Sequence, residues 1–166
     1  MLVIDILKAV LAILIAKLLF GQSHQSAKIL IALYAGIGAI LGHSYPLFFG
    51  FKGGKGIATM LGVFAVANPL ATLIVILCAA ATWLLFKYGS LASFVCVTAL
   101  TAIEGFHAKS LAAPSDFIVS MLLFAIFVLT WWAHRSNIQR LILGKESKVD
   151  LIASAKKKIK NNTVGK

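Results

Sequence analysis

The sequence predicts an all-α integral membrane protein, a polytopic helical bundle of about six membrane segments, one of them short. Hydrophobic residues make up 60% of the 166-residue chain, and the mean hydropathy is +0.95, whereas a soluble domain is about 45–50% apolar. The apolar residues also form long runs, and a run of ~20 is what a transmembrane helix requires. These two observations together make the bilayer the expected solvent of the chain.

Six apolar runs define the expected helices, which cover residues 2–20, 27–41, 57–67, 69–86, 90–106 and 117–133. The second run can extend through Leu47 and Phe48. The third and fourth runs are divided at Asn68 and Pro69, because proline has no N–H to donate and disfavours helical geometry at the residue before it. The third helix is therefore expected to be the short one.

The distribution of basic residues predicts the orientation of the bundle. A break at Asn68 makes residues 57–86 two membrane segments instead of one. Nine basic residues of segment 135–166 then share one side of the membrane with Lys52, Lys55 and Lys87, and the other side has Lys28 and Lys109. Basic loops face the cytoplasm, so the C-terminus is expected to be cytoplasmic. We predict a membrane-embedded domain over residues 1–144 and a basic cytoplasmic tail over residues 145–166.

The net charge of +11 does not indicate a nucleic-acid partner. Nine of the 16 basic residues follow the last apolar run, as expected for a topology signal that contacts membrane lipids. Cys78 and Cys96 lie within apolar runs and are expected to be buried, not to form a metal or disulfide pair. We expect no metal ion and no cofactor.

One polar stretch, "GHSYPLFFGFKGGKGIAT" from Gly42 to Thr59, interrupts the apolar runs. Glycines allow backbone N–H groups to approach an anion closely, and the stretch leads into a helix whose N-terminus favours negative charge. Two lysines, Lys52 and Lys55, add positive charge. The spacing is not that of a Walker A loop. An anion-binding loop and a flexible interfacial turn with snorkelling lysines both remain open here.

Two further polar clusters are expected on the same side of the membrane. "KYGSLAS" places Ser90 and Ser93 at the start of a helix, where Ser90 is a plausible N-cap. "HRSNIQR" spaces His134, Asn137 and Arg140 three residues apart, so they share a face if the last helix continues. Convergence of these clusters with the glycine-rich loop indicates a site.

Together these residues resemble the PlsY family, the bacterial acyl-phosphate:glycerol-3-phosphate acyltransferases. The stretch from Gly42 to Thr59 is similar to the family pattern G-H-x-[FY]-P-x-F-x-x-F-K-G-G-K-G-x-A-T over its full length. "SLAS" and "HRSNIQRLILGKESK" resemble two later motifs, and "DILKAVLAI" resembles a D-x-x-K-G-x-L-A segment with Ala9 at the usual glycine. The resemblance covers nearly all of the chain except the lysine-rich end.

The resemblance implies transfer of an acyl group from acyl phosphate to the 1-hydroxyl of glycerol 3-phosphate, giving lysophosphatidic acid, the first step of phospholipid synthesis. The implied location is the bacterial inner membrane, with the active site facing the cytoplasm. The implied catalytic residues are His134, Asn137, Ser90 and Ser93. Substrate phosphate is expected to contact Lys52, Gly53, Gly54, Lys55, Gly56, His43 and Arg140.

The family's first motif, S-G-N-x-G-x-x-N-x-x-R, normally lies just before the D-x-x-K-G segment, where this chain begins. We therefore expect residues 1–166 by themselves not to convert glycerol 3-phosphate and acyl phosphate into product. An alternative of a different class, a non-catalytic transporter or an anion- or lipid-binding scaffold, stays open, as does an inactive homologue. The proton of the attacking hydroxyl could go to a substrate phosphate oxygen or to His134.

Overall fold

The computed structural model describes residues 2–20, 25–110 and 116–148. Their regular elements are helical: six long or medium helices, a 3₁₀ turn at Leu47–Phe49 and a short helix near the end of the described chain. In chain order the helices are α1 (Leu2–Phe20), α2 (Gln25–Ser44), α3 (Ile57–Ala67), α4 (Pro69–Phe86), α5 (Gly89–Ser110), α6 (Asp116–Ala133) and α7 (Arg135–Ile142). The predicted all-α fold is confirmed.

The predicted break between the third and fourth helices is present. Asn68 leaves helical geometry at φ −149°, and Pro69 opens α4 at a position where its missing N–H costs no hydrogen bond. The side chain of Asn68 caps the new helix, because its Oδ1 accepts from the N–H of Ala71 at 3.1 Å. The short helix α3 and the long helix α4 are thus separate elements.

Small residues allow close packing around α3, which contacts α1, α2, α4 and α5. A Cβ added to Gly62 would lie 2.5 Å from the carbonyl oxygen of Ile6 on α1, and one added to Gly36 would lie 2.6 Å from Val63. Close approach through small residues is typical of helices packed in membranes. Phe64 of α3 and Ile13 of α1 are fully buried in this region, so α3 is the inner helix of this part of the bundle.

Within the described part of the chain, three helices are long and apolar enough to cross a membrane by length and composition, in segments Lys28–Phe49, Pro69–Phe86 and Gly89–His107. A fourth candidate joins Phe117–Ala133 to Arg135–Ile142 across a 58° bend. Helix α1 is long enough but contains Asp5, Lys8 and Lys17, and α3 is short. The predicted six hydrophobic segments are all helices, while their number of crossings stays a prediction.

Two predictions about individual side chains are wrong. Ser90 is not an N-cap, because α5 begins at Gly89 and the buried Ser90 Oγ has no hydrogen-bond partner. Cys78 is exposed on the outer surface of the bundle, although Cys96 is buried as expected. A residue of an apolar run need not be buried inside the protein, because an apolar side chain of a membrane helix can also face lipid. The tail beyond residue 148 lies outside the described residues.

Candidate functional site

A polar cavity of about 630 Å³ opens where the three predicted clusters meet; we call it the central cavity. Its wall is formed by the end of α2, the glycine-rich loop with the start of α3, the start of α5, and α7 with the residues that follow it. The lining residues are His43, Gly54, Lys55, Gly56, Ile57, Ala58, Gly89, Ser90, Ser93, His134, Asn137, Arg140, Glu146 and Ser147.

Two buried polar atoms of the cavity wall have no partner among the described residues. These are Ser90 Oγ and Asn137 Oδ1, on residues that are 6% and 5% exposed. A buried polar group without a hydrogen bond costs about 1–3 kcal/mol, so such atoms indicate where a ligand binds. The ligand must offer at least one donor, because an amide oxygen can only accept.

Glu146 fixes the orientation of this wall. Its Oε1 accepts from Asn137 Nδ2 and its Oε2 accepts from Arg140 Nε, both at 2.8 Å. Burial raises the pKa of Glu146, but the hydrogen bonds from Asn137 and Arg140 and the nearby Ser90 hydroxyl outweigh it and lower the pKa to about 2. Ser90 contributes through proximity, since its Oγ does not reach good hydrogen-bond geometry. With Nδ2 engaged, the amide of Asn137 leaves Oδ1 free.

The glycine-rich loop presents only part of its backbone to the cavity. The N–H groups of Gly53 and Gly54 donate to the carbonyls of Ser44 and His43, each at 3.2 Å, and so close the end of α2. The first N–H groups of α3 have no such intrahelical acceptors. Gly56 precedes them at φ +80°, a conformation that favours glycine. The free N–H groups at the start of α3 lie at the same cavity as the unpartnered Ser90 and Asn137 atoms, and they can bind an anion there.

His134 lies at the bend between α6 and α7 and is 2% exposed. Its Nδ1 lies 2.9 Å from the carbonyl oxygen of Thr130. A carbonyl can only accept, so Nδ1 carries the proton of the neutral ring and Nε2 carries the lone pair. His134 is thereby arranged as a hydrogen-bond or proton acceptor.

His43 has the opposite arrangement. Lys8 Nζ lies 2.6 Å from His43 Nδ1 and 2.7 Å from Asp5 Oδ1. An ammonium can only donate, so Nδ1 of His43 accepts and Nε2 carries the proton. The ring packs so closely on the loop that a Cβ at Gly54 would collide with Nε2. His43 thus offers a donor beside the loop.

The charge of the cavity is suited to an anion. Among the described residues that line it, Lys55 and Arg140 face one carboxylate, that of Glu146. Burial and the neighbouring Arg140 cation lower the pKa of Lys55, and Glu146 partly opposes this. A bound phosphate would add negative charge beside the two cations and would raise the pKa of Lys55 again.

All of the predicted site residues except Lys52 and Gly53 therefore meet in the central cavity. Lys52 and Gly53 line a separate cavity on the other side of the glycine-rich loop. Ser93 lies in the central cavity, but its hydroxyl donates to the carbonyl of Gly89 at 3.0 Å. Sequence reasoning overlooked Glu146, which lies in the quoted "HRSNIQRLILGKESK" segment, and also Lys8, a charge inside an apolar run.

Long apolar helices around a polar, cationic cavity define the class of protein, a membrane-embedded helical bundle with a polar site. The glycerol-3-phosphate acyltransferase family model matches residues 1–144, and the chain belongs to that family. It is an acyltransferase by this membership.

Relatives in two bacteria support the assignment. The chain is 37% identical to the glycerol-3-phosphate acyltransferase of Halalkalibacterium halodurans over 148 residues, which is 89% of this chain and 69% of the relative. It is 41% identical to that of Rhodospirillum rubrum over 163 residues, covering 95% and 68% of the two chains.

Two crystal structures of PlsY (YgiH), described as an integral membrane glycerol 3-phosphate acyltransferase, have the same fold. The glycerol 3-phosphate form matches with a TM-score of 0.75 at 32% identity, over 93% of this chain and 72% of that one. The lysophosphatidic acid form matches with a TM-score of 0.74 at the same identity, over 91% and 71%.

Proposed function

We propose that this protein binds glycerol 3-phosphate in the central cavity and transfers an acyl group to its 1-hydroxyl from acyl phosphate, releasing inorganic phosphate. The observation that carries the proposal is the coincidence of two cations with two unpartnered buried polar atoms in one cavity. Cations suit the phosphate end of the substrate, and a free amide oxygen suits its hydroxyl end. The relative crystallised in a glycerol 3-phosphate form supports this choice of acceptor.

The phosphate end of glycerol 3-phosphate is assigned to Lys55 and Arg140, with the N–H groups at Gly56 and the start of α3 and the Nε2–H of His43. A charge-assisted hydrogen bond contributes about 1.5–3 kcal/mol, so several of them suffice for binding. The hydroxyl end is assigned to Asn137 Oδ1 and Ser90 Oγ. Ser93 supports the same wall and can accept a hydrogen bond while it donates to Gly89.

The proton of the attacking hydroxyl goes to Nε2 of His134 in this proposal. The carbonyl of Thr130 holds the ring in the tautomer that has its lone pair at Nε2. The hydroxyl oxygen then bonds to the acyl carbon, and the bond from that carbon to the phosphate oxygen breaks. The leaving phosphate takes the electron pair, so no acyl-enzyme is needed. Arg140 and Lys55 stabilise the negative charge that develops.

The proposal extends to the location of the site. We place the central cavity at the cytoplasmic face of the bacterial inner membrane, because basic residues of the described chain lie at this end of the bundle: Lys55, Lys87, Arg135, Arg140 and Lys148. Residues 1–144 form the membrane domain, and residues 145–166 form a basic tail. Residues 145–148 belong functionally to the site, since Glu146 holds Asn137 and Arg140.

The first test is calorimetric binding of glycerol 3-phosphate to the protein in nanodiscs. Lys55→Gln should weaken binding by about 10-fold or more, since a charge-assisted contact is lost. Lys87→Gln is the matched control, because Lys87 lies at the same end of the bundle and lines neither cavity. Equal affinity of the two variants would refute the assignment of the phosphate end.

The second test concerns the donor, with the S-G-N-x-G-x-x-N-x-x-R segment supplied in cis or as a peptide. Radiolabelled glycerol 3-phosphate is incubated with palmitoyl phosphate or with palmitoyl-coenzyme A. We expect lysophosphatidic acid from palmitoyl phosphate, and loss of about 100-fold in kcat in His134→Gln. Equal turnover with the thioester would refute acyl phosphate as the donor.

A further inference from the structure

Glu104 is the acidic residue of the apolar segment Gly89–His107, and its side chain is buried among the helices. The residue is 9% exposed, and its Oε1 has no hydrogen-bond partner among the described residues. Nδ1 of His107 lies 3.9 Å from the other carboxylate oxygen, Oε2, which is too far for a hydrogen bond. An ionisable residue inside a membrane helix is costly and indicates a function. The buried Oε1 atom therefore requires a donor from a bound molecule.

A small cavity of about 10 Å³ adjoins this carboxylate; we call it the distal cavity. Helices α2, α3, α5 and α6 enclose it, and its lining residues are Ile29, Leu33, Ala67, Glu104, His107, Val119 and Leu123. Ala67 is the last residue of α3, whereas Ile57, the first residue of α3, lines the central cavity. The two cavities thus lie at opposite ends of one short helix, roughly 16 Å apart along its axis.

The end of α3 also has carbonyl oxygens that lack their usual donors. A helical carbonyl accepts from the N–H four residues later, and for Ala65 that residue is Pro69, which has no N–H. For Ala67 it is Ala71, whose N–H donates to Asn68 Oδ1 instead, at 3.1 Å. No backbone N–H of a described residue donates to the Ala67 carbonyl. The break between α3 and α4 therefore leaves a second acceptor on a residue that lines the distal cavity.

The occupant of the distal cavity must be small and must donate hydrogen bonds. The volume is that of about one water molecule, which needs about 10–15 Å³ and two to four polar partners. The carboxylate and the negative end of the α3 dipole both repel an anion. Ca²⁺ and Mg²⁺ take about six oxygen ligands or more, whereas four of the seven described lining residues are isoleucine, leucine or valine. A water molecule can donate one hydrogen to each of the two acceptors.

We propose that one water molecule binds between Glu104 Oε1 and the carbonyl oxygen of Ala67, and that Glu104 positions α3 for phosphate binding through this water. This rests on the proposed function, in which the N–H groups at the start of α3 hold the phosphate of glycerol 3-phosphate. Because α3 is one short helix, a shift at Ala67 also moves the N–H groups near Ile57. A misplacement of about 1 Å at a substrate contact can cost as much as 100-fold in rate. Glu104 is therefore a positioning residue, which touches no substrate.

The water itself is tested by crystallography of the protein in a lipidic mesophase. We expect a density peak at about 2.7–3.2 Å from both Glu104 Oε1 and the Ala67 carbonyl oxygen. A second crystal is soaked in thallium(I), which replaces Na⁺ or K⁺ and gives an anomalous signal. Absence of the density peak would overturn the proposal, and so would an anomalous peak at the same position, because the occupant would then be a cation.

Two substitutions of Glu104 separate the hydrogen bond from charge and packing. Glutamine keeps an oxygen that accepts from water, whereas methionine has a similar length and only a weakly accepting sulfur. Glu104→Gln should keep the unfolding midpoint within about 2 °C and the glycerol 3-phosphate affinity within about twofold. Glu104→Met should lower the midpoint by several degrees and weaken the affinity by about 2- to 10-fold, as expected for one hydrogen bond. Equal losses in both variants, or parental values in both, would contradict the water bridge.

Ile126→Ala is the control for a general loss of packing. Ile126 is fully buried on α6, which packs on α2, α5 and α7. The cavity left by the substitution should lower the unfolding midpoint, but calorimetry should still find the parental glycerol 3-phosphate affinity within about twofold. If Ile126→Ala weakened binding as much as Glu104→Met, any loss of core packing would have this effect, and the positioning role of Glu104 would be wrong.

Lys55→Gln in the same calorimetric series separates this inference from the proposed function. Loss of glycerol 3-phosphate binding in Lys55→Gln, together with parental affinity in Glu104→Met, would overturn the positioning role and leave the proposed function standing. Parental affinity in Lys55→Gln would instead refute the proposed function. The water bridge would then be decided by the density peak and the unfolding midpoints, which do not depend on the substrate.

Discussion

Lys8 Nζ lies 2.6 Å from Nδ1 of His43, which joins a cation of the first helix to the imidazole at the end of the second. Asp5 holds the same ammonium at 2.7 Å and lies 3.3 Å from His43 Nδ1. If Lys8 were absent, Nδ1–H of His43 could donate to Asp5 instead, and Nε2 would lose its proton. Lys8 therefore decides whether His43 is a donor or an acceptor beside Gly54.

This relationship predicts a difference between two substitutions of His43. Glutamine can place an amide N–H near the position of Nε2, whereas asparagine is too short. His43→Gln should retain glycerol 3-phosphate affinity better than His43→Asn, by about 2- to 10-fold for one hydrogen bond. Lys8→Met should weaken glycerol 3-phosphate binding in the parent but not in His43→Gln, because the amide N–H of glutamine remains a donor whether or not Lys8 is present. Additive losses in the double variant would contradict the tautomer assignment.

The second prediction concerns the acid sensitivity of the Glu146 network. The pKa of Glu146 is lowered from 4.5 to about 2, so its contribution to stability is present above pH 4.5 and is lost as the pH falls through about 2. Glu146→Gln should lower the thermal unfolding midpoint at pH 7, and the difference from the parent should persist to pH 4 and narrow towards pH 2. A difference that disappears between pH 7 and pH 5 would show that another group is responsible.

The third prediction tests the close packing of α1 on α3. Gly62→Val adds three carbons where a single Cβ would already lie 2.5 Å from a carbonyl oxygen of α1. Overpacking of this kind costs about 1–3 kcal/mol, so the unfolding midpoint should fall by several degrees. Gly38→Val is the matched control, because a Cβ at Gly38 meets nothing within 4 Å. Equal midpoints of the two variants would show that α1 and α3 are not in contact as described.

The fourth prediction concerns topology. In a variant without Cys78 and Cys96, single cysteines at Lys52 and Lys148 should react with a membrane-impermeant maleimide only from the cytoplasmic side, and a cysteine at Lys28 only from the opposite side. The break at Asn68 is what puts Lys52 and Lys148 on one side. Labelling of Lys52 from the outside would mean that α3 and α4 cross the membrane as one span.

The sequence by itself determined the helices and their breaks, because these depend on local chemistry. The apolar runs gave helix bounds that agree closely with the structure, as for Leu2–Phe20 and Pro69–Phe86. Asn68 and Pro69 break the helix locally, because Pro69 has no N–H to donate and the side chain of Asn68 caps the next helix. The motif residues His134, Asn137 and Arg140 were also identifiable, since their spacing of three places them on one face even after the bend at His134.

Only the tertiary structure decided which atoms of these residues are available. Gly53 and Gly54 have the composition of an anion-binding loop, but their N–H groups close the end of α2. Lys52 and Lys55 are three residues apart, yet only Lys55 lines the central cavity, and Lys52 lines the cavity on the other side of the loop. Glu146, nine residues from Asn137, frees the amide oxygen by binding the amide nitrogen. Hydrogen-bond partners and tautomers depend on side chains brought together from distant segments, and no local pattern encodes those contacts.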